Sequence, residues 1–228
     1  MKTVIEKIIR LRNPAFSFHE KVDGRMIASL ISSLAIGHLR SYKFLLKGSM
    51  PIKSVVGRNA KTRFQHKIKW GKQMKIGESV LLSGLGTEGI IFGNNVSIGD
   101  FSRLIVSTTF NDLGKYIKIG NNVGMGEFAY LGGAGGLEIG DDCIIGQYLS
   151  CHPENHNFEN NDELIRMQGT TRKGIKIGKN CWIGSKVTFL DGVEIGDGCV
   201  IAAGSVVNKS FASHSVIGGV PAKLLKQL

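Results

Sequence analysis

His152-Pro153-Glu154-Asn155-His156-Asn157-Phe158 sets two imidazoles and a carboxylate within one short stretch. A neutral imidazole, titrating at about pH 6.5, can take a proton from a weak nucleophile and pass it to a leaving group. Glu154 could orient such a ring through its second nitrogen, or stand as a solvated loop carboxylate. Two imidazoles can also begin a metal centre, but an open zinc site wants a third protein ligand. His19, His38, His66 and His214 stand singly and read as structural or exposed. Gly133-Ala134-Gly135-Gly136 lacks the Lys-Ser/Thr and the helix of a phosphate loop, and reads as a corner with inserted residues.

The histidine stretch interrupts a strict period. Ile177, Ile183, Phe189, Ile195, Ile201 and Val207 recur every six residues. Cys181, Val187, Val193, Cys199 and Ser205 follow the first five anchors at a distance of four. Gly178, Gly184, Gly196 and Ala202 come directly after an anchor. Apolar residues of an amphipathic helix recur at three and four, and those of a strand at two. A period of six fits neither and is that of a β-solenoid, one short strand and one corner per hexad. The expected fold class is all-β, a parallel hexapeptide solenoid whose anchors and small residues point inward. Three hexads would close one triangular coil, with glycine easing each corner. A count of 31 Gly against 4 Pro suits many tight corners.

The rhythm starts near Val56 and Ala60 and continues, after a slip, through Phe64, Trp70, Ile76 and Leu82. Ile68, Met74 and Val80 take the small slot there, which marks a less regular first coil acting as a cap. It resumes at Phe92, Ile98 and Leu104, at Ile119, Met125 and Leu131, and at Ile139 and Ile145. Extra residues fall at 84–89, 108–115 and 132–136, and the longest excursion, 152–174, carries the two histidines. A solenoid sends such insertions outward, often to its binding face. Residues 1–50 read as a basic helical segment and residues 51–228 as the repeat domain. Met26–Gly37 is apolar but too short to span a bilayer. With Arg40, Lys43 and Lys47 beside it, this stretch either packs on protein or lies in an anionic membrane surface.

Charge is divided along the chain. Residues 1–75 carry 17 Lys/Arg against 3 Asp/Glu, and residues 76–228 carry 12 against 15. The basic half lacks the interleaved aromatics of a single-strand binder, so no nucleic-acid partner is expected and an anionic leaflet fits better. Cys143, Cys181 and Cys199 take the small inward slot and Cys151 an anchor position. No CxxC pair argues for zinc, so all four are expected as reduced core residues. Reduced cysteines and the lack of an apolar h-region in MKTVIEKIIRLRNP point to the cytoplasm, peripheral at the inner face of the membrane if the leader binds lipid.

The hexads, Asn180-Cys181-Trp182-Ile183-Gly184, the insertion with Glu154-Asn155-His156-Asn157-Phe158, Arg166-Met167-Gln168-Gly169 and Gly218–Lys223 together resemble the hexapeptide-repeat acyltransferases. The resemblance covers roughly residues 50–228 and is closest to the branch that O-acetylates capsular or lipid-linked polysaccharide. It implies a left-handed β-helix, a homotrimer, and acetyl-CoA lying in a groove between two subunits. It also implies a catalytic histidine ten residues beyond the glycine of the hexad before the loop. Counted from Gly146 that residue is His156, with His152 packing at the loop base or steering the acceptor. The same resemblance places Ser185, Ala203 and Lys209 along the CoA groove. Lys223 and Lys226 either meet the CoA phosphates or are ordinary surface lysines. Trp182 points outward, as a trimer contact or as a wall of the acyl groove. Asn208 stands where family members often carry Thr, so no side-chain contact is carried over there.

The expected reaction is transfer of acetyl from acetyl-CoA to a sugar hydroxyl, direct and without an acyl-enzyme, with no metal. Two other readings stay open: N-acetylation of an amino sugar or nucleotide sugar, and a metal-binding solenoid like the γ-class carbonic anhydrases. The second would need a third histidine at a suitable hexad, and the sequence places none there.

Overall fold

The computed structural model describes residues 2–10, 16–48 and 51–228. Residues 1, 11–15 and 49–50 of the basic leader, and the side chains of Lys2, Val4, Ile8, Leu46 and Lys47, lie outside the described residues.

The hexads fold as short strands in three parallel sheets that the chain visits in turn. Trp182–Ile183 lies in the first sheet, Thr188–Leu190 in the second and Glu194–Ile195 in the third; Val200–Ile201 then returns to the first. Ile183 pairs with Ile201 and Phe189 with Val207, so one pass takes eighteen residues and the six-residue anchors stack. The anchors keep their register past the insertions, Ile98 pairing with Met125 and Ile145 with Ile183, while the pairing itself shifts between Gly86 and Gly89. The anchors from Ile177 to Val207 are all buried, as are Cys181, Val187, Val193, Cys199 and Ser205.

Cysteine fills one inward column. Cys143, Cys181 and Cys199 lie two residues before the paired anchors Ile145, Ile183 and Ile201. Each thiol donates to a carbonyl of the next pass: Gly178 at 3.2 Å, Gly196 at 3.4 Å and Ala212 at 3.2 Å. A small thiol therefore fills the slot and satisfies its own polarity. Burial pushes the Cys151 and Cys199 thiols up.

Glycine after an anchor does a different task from the corner-turning role expected of it. A Cβ at Gly126 would come within 2.6 Å of the backbone nitrogen of Gln147. Glycine there permits two passes to approach, while the left-handed conformation sits two residues on, at Phe101, Phe128 and Tyr148. Positive φ costs non-glycine residues of order 1–3 kcal/mol each. Stacking offsets part of it: ring centroids of Phe101 and Phe128 are 5.1 Å apart, and those of Phe128 and Tyr148 5.0 Å.

The first pass departs from the expected rhythm at Phe64. Lys61–Arg63 pairs with Leu81–Ser83, which puts Thr62 opposite the anchor Leu82. Phe64 follows at φ 52° and turns out of the column, only half-buried. Thr62 satisfies its hydroxyl on Gln65, which donates in turn to the Phe44 carbonyl. Trp70 keeps the anchor role predicted for it, stacked 5.7 Å from Phe92 and 5.6 Å from Phe44.

The leader is helical at Lys2–Arg10 (α1) and Gly24–Ser41 (α2), followed by a 3-10 turn over Tyr42–Lys47. Residues 16–23 are not helical: the Asp23 carboxylate accepts from the Met26 N–H and starts α2 there. Helix α2 buries Ile27, Gly37 and Ser41 and packs on Val55–Val56. Phe44, 1% exposed, then closes the end of the core. At the other end Ala222–Gln227 runs antiparallel to Ser215–Gly219 and ends the first sheet.

Phe189→Ala empties an anchor position between Cys151 and Val207 and should lower stability by about 3–5 kcal/mol. Denaturant unfolding measures this, with Thr188→Ala as the outward control. Ellman's reagent at pH 8 should label none of the four cysteines in the folded chain and all four after unfolding. Fast labelling of the folded chain would contradict the inward column.

Candidate active site

The excursion leaves the second sheet at the end of Ser150–His152. Because Cys151 faces inward opposite Phe189, its neighbours Ser150 and His152 face out together. Their side chains meet, Ser150 Oγ to His152 Nε2 at 2.6 Å, and the ring stacks on Tyr130 at 5.6 Å. Pro153 is buried against Gly132, at the base of the loop.

Beyond that base the loop folds on itself. Asn155–His156 pairs antiparallel with Thr170–Thr171, so His156 lies opposite Thr170. Asn157 braces the hairpin, its N–H to the Gly169 carbonyl at 3.1 Å and its Nδ2 to the Gln168 carbonyl at 3.0 Å. The Gln168 side chain reaches the carbonyls of Asn160 and Glu163 and accepts from the Asn160 N–H. A carboxylate anchors the return: Asp191 accepts from the N–H groups of Lys173 and Gly174. Polar side chains of the loop and of Asp191 thus hold it, rather than a core.

His152, Glu154 and His156 all line one cavity of about 640 Å³. Its opposite wall is Ser107, Thr108, Thr109, Asn111 and Asp112, from an earlier insertion. Among the described residues no hydrogen bond is formed by the His156 ring, which is exposed. Glu154 does neither of the two things open to it in the sequence: its Oε2 accepts from Arg172 Nε at 2.9 Å, so this oxygen neither orients an imidazole nor stands merely solvated. Arg172 and Asp112 were not legible as site residues, since both lie in insertions outside the period. Tyr130 was nearer to hand, being the outward residue before anchor Leu131 in the strand beside Ser150–His152.

The residues expected along a CoA groove lie elsewhere. None of Trp182, Ser185, Ala203, Lys209, Lys223 and Lys226 lines the histidine cavity. Trp182 is outward in the first sheet and 60% exposed. Ser185 and Ala203 stack at the next corner, where Ser185 Oγ donates to Gln147 Oε1 at 2.8 Å and a Cβ at Gly184 would strike the Ala203 backbone. Lys209 lies over the Phe211 ring at 5.6 Å, and Lys223 and Lys226 are on the last, antiparallel strand. One chain therefore gathers the histidines at one place and leaves the other set spread over strands and corners away from them. Among the described residues no group of three or more His, Cys, Asp or Glu gathers to hold a metal ion.

Comparison with known proteins agrees with the repeat. The model of the bacterial transferase hexapeptide (six repeats) matches residues 174–209. A chain of Escherichia coli strain K12, provisionally named as the lipopolysaccharide biosynthesis O-acetyl transferase WbbJ, is 31% identical over 146 residues, 60% of this chain and 71% of that one. The galactoside O-acetyltransferase of the same strain is 35% identical over 96 residues, 40% of this chain and 44% of its own length. An N-acyltransferase from Bacillus cereus, AntD, solved in complex with dTDP and 3-hydroxybutyryl-CoA, shares the fold. It is 18% identical, with a TM-score of 0.51 over 82% of this chain and 88% of that one. Period, parallel register and relatives agree, and the chain belongs to the bacterial hexapeptide-repeat acyltransferases.

Proposed function

We propose that this chain is an acetyl-CoA-dependent O-acetyltransferase acting on a sugar hydroxyl of a polysaccharide or lipid-linked glycan. The three sheets are read as the faces of a left-handed β-helix over residues 51–228, and the working unit as a homotrimer. The observation that carries the reaction is the pairing of His152 and His156 in one cavity with the His156 ring unengaged.

His156 takes the acceptor hydroxyl proton as that oxygen attacks the thioester carbonyl. Collapse of the tetrahedral intermediate breaks the C–S bond, and the imidazolium returns the proton to the departing CoA thiolate. Backbone N–H groups supply the oxyanion contact. Holding both substrates together supplies much of the acceleration, so no acyl-enzyme is needed. His152, fixed by Ser150 and Tyr130, shapes the cavity floor and steers the acceptor. Acetyl-CoA would lie along the corner of Ser185 and Ala203, with Lys209, Lys223 and Lys226 toward its phosphates and Trp182 beside the acyl chain. A neighbouring subunit would bring that corner up to the histidines.

The reading includes a peripheral place at the cytoplasmic face of a membrane, and the exposed face of α2 supports its membrane part. Met26, Leu30, Ile31, Leu34, Ile36 and Leu39 remain exposed, and Arg25, Arg40 and Lys43 flank them. A helix apolar on most sides wants a covering, and basic flanks favour an anionic interface. No helix among the described residues is long and apolar enough to cross a membrane.

His156→Ala should lower transfer at least a thousandfold with acetyl-CoA affinity kept, while His152→Ala loses about tenfold; release of CoA thiol reads both. A dead His152→Ala beside an active His156→Ala would move the base to His152. Co-sedimentation should show the chain on vesicles containing phosphatidylglycerol and not on neutral ones, and Leu34→Asp with Leu39→Asp should abolish it. Failure to bind either vesicle removes the membrane reading.

A further inference from the structure

Arg172 makes three hydrogen bonds at the cavity wall. Its Nε donates to Glu154 Oε2 at 2.9 Å and its Nη1 to Asp112 Oδ1 at 2.7 Å. A longer bond runs from Nη1 to the Leu113 carbonyl at 3.5 Å. Asp112 and Leu113 belong to the insertion between Arg103–Ile105 and Gly114–Ile119, whereas Glu154 and Arg172 sit at the two roots of the histidine loop. Among the described residues no other hydrogen bond or ion pair joins the two insertions.

The placement is set by the hairpin. Pairing of Asn155 with Thr171 and of His156 with Thr170 brings the next residues outward, Glu154 and Arg172, face to face. A guanidinium is planar and can bind two carboxylates on different edges at a fixed angle, which a lysine ammonium cannot. The Arg172 side chain is 20% exposed, against 35% for Glu154 and 55% for Asp112, so solvent screens its bond to Asp112 more than its bond to Glu154. Burial works against its charge, yet the hydrogen bonds and charges of Glu154 and Asp112 outweigh that, and its pKa is raised.

We infer that Arg172 is a positioning residue, a clamp that ties the loop bearing His156 to the opposite wall of the cavity and fixes the gap in which the acceptor must fit. Its catalytic consequence rests on the acyl-transfer reading; the clamp itself does not. With the clamp closed, the imidazole and the hydroxyl-rich wall of Ser107, Thr108 and Thr109 keep one separation, so an acceptor touching both is held for attack. Without it, Glu154 and Asp112 lose their shared cation and the two insertions part.

Hydrogen–deuterium exchange on the full chain tests the clamp, and release of CoA thiol from acetyl-CoA with methyl β-galactoside tests its consequence. Arg172→Gln should speed exchange at least tenfold in 107–113 and 154–172 while 175–209 stays as in the wild type. Asp112→Asn should loosen the first segment and Glu154→Gln the second. Adding Asp112→Asn to Arg172→Gln should change nothing further, because the two act through one contact. Arg172→Lys should recover part of the protection. Transfer should fall at least tenfold in kcat for Arg172→Gln, with the KM for acetyl-CoA within twofold. Wild-type exchange in both segments of Arg172→Gln overturns the clamp, as does loosening that spreads through 175–209. Clamp-dependent protection in a wild type that releases no thiol would uphold the clamp and count against the transfer reading.

Discussion

Each pass of the chain must hydrogen-bond to the next through backbone groups in parallel register, and that requirement governs the rest of the molecule. Trp182 N–H donates to the Cys199 carbonyl at 2.9 Å, and Gly184 N–H to that of Ile201 at 2.8 Å. The peptide groups of one pass are satisfied by its neighbour, so side chains alone have to fill the centre. A column of Ile, Leu and Val meets that demand, and a second column of thiols and small residues fills the narrower space beside it. Close approach of passes follows from the same bonds, which is why glycine recurs at a corner where a Cβ would meet backbone.

Such a scaffold is rigid where it repeats and free only where it is interrupted. Both walls of the cavity are interruptions, one after Ile105 and one after His152, on strands of the second sheet that only Tyr130–Gly132 separates. Register brings the interruptions side by side although they are far apart in sequence. Within each, polar side chains do what a core does elsewhere: Asn157 and Gln168 shape the hairpin, and Arg172 spans from it to Asp112. Proton transfer requires a base held within a hydrogen bond's reach of its proton. The proposed base, His156, stands on such a braced excursion, beyond the sheet yet held by the hairpin.

The two ends of the chain treat the exposed column ends differently. Phe44 and Trp70 stack across the first pass and close it from the leader side, while the last strand folds back antiparallel and ends the first sheet. Terminal units of a repeat protein must present something other than another repeat to solvent. Here the leader supplies that cover and still leaves most apolar residues of α2 outside.

The six-residue period alone determined which residues point inward, that strands pair between passes eighteen residues apart, and that His156 stands outside the repeat, whereas His152, expected in the excursion, ends a strand of it opposite Leu190. Those features depend on local spacing, and spacing is written directly in the chain. Phe64 marks where this stops: the period admits it as an anchor, but pairing of Lys61–Arg63 with Leu81–Ser83 gives the place to Thr62. Only the tertiary structure decided what the insertions touch. Arg172 choosing Glu154 and Asp112, and His152 taking Ser150 and Tyr130, are contacts between segments with no common period. Their energies come from charge and geometry across space, which no one-dimensional spacing encodes.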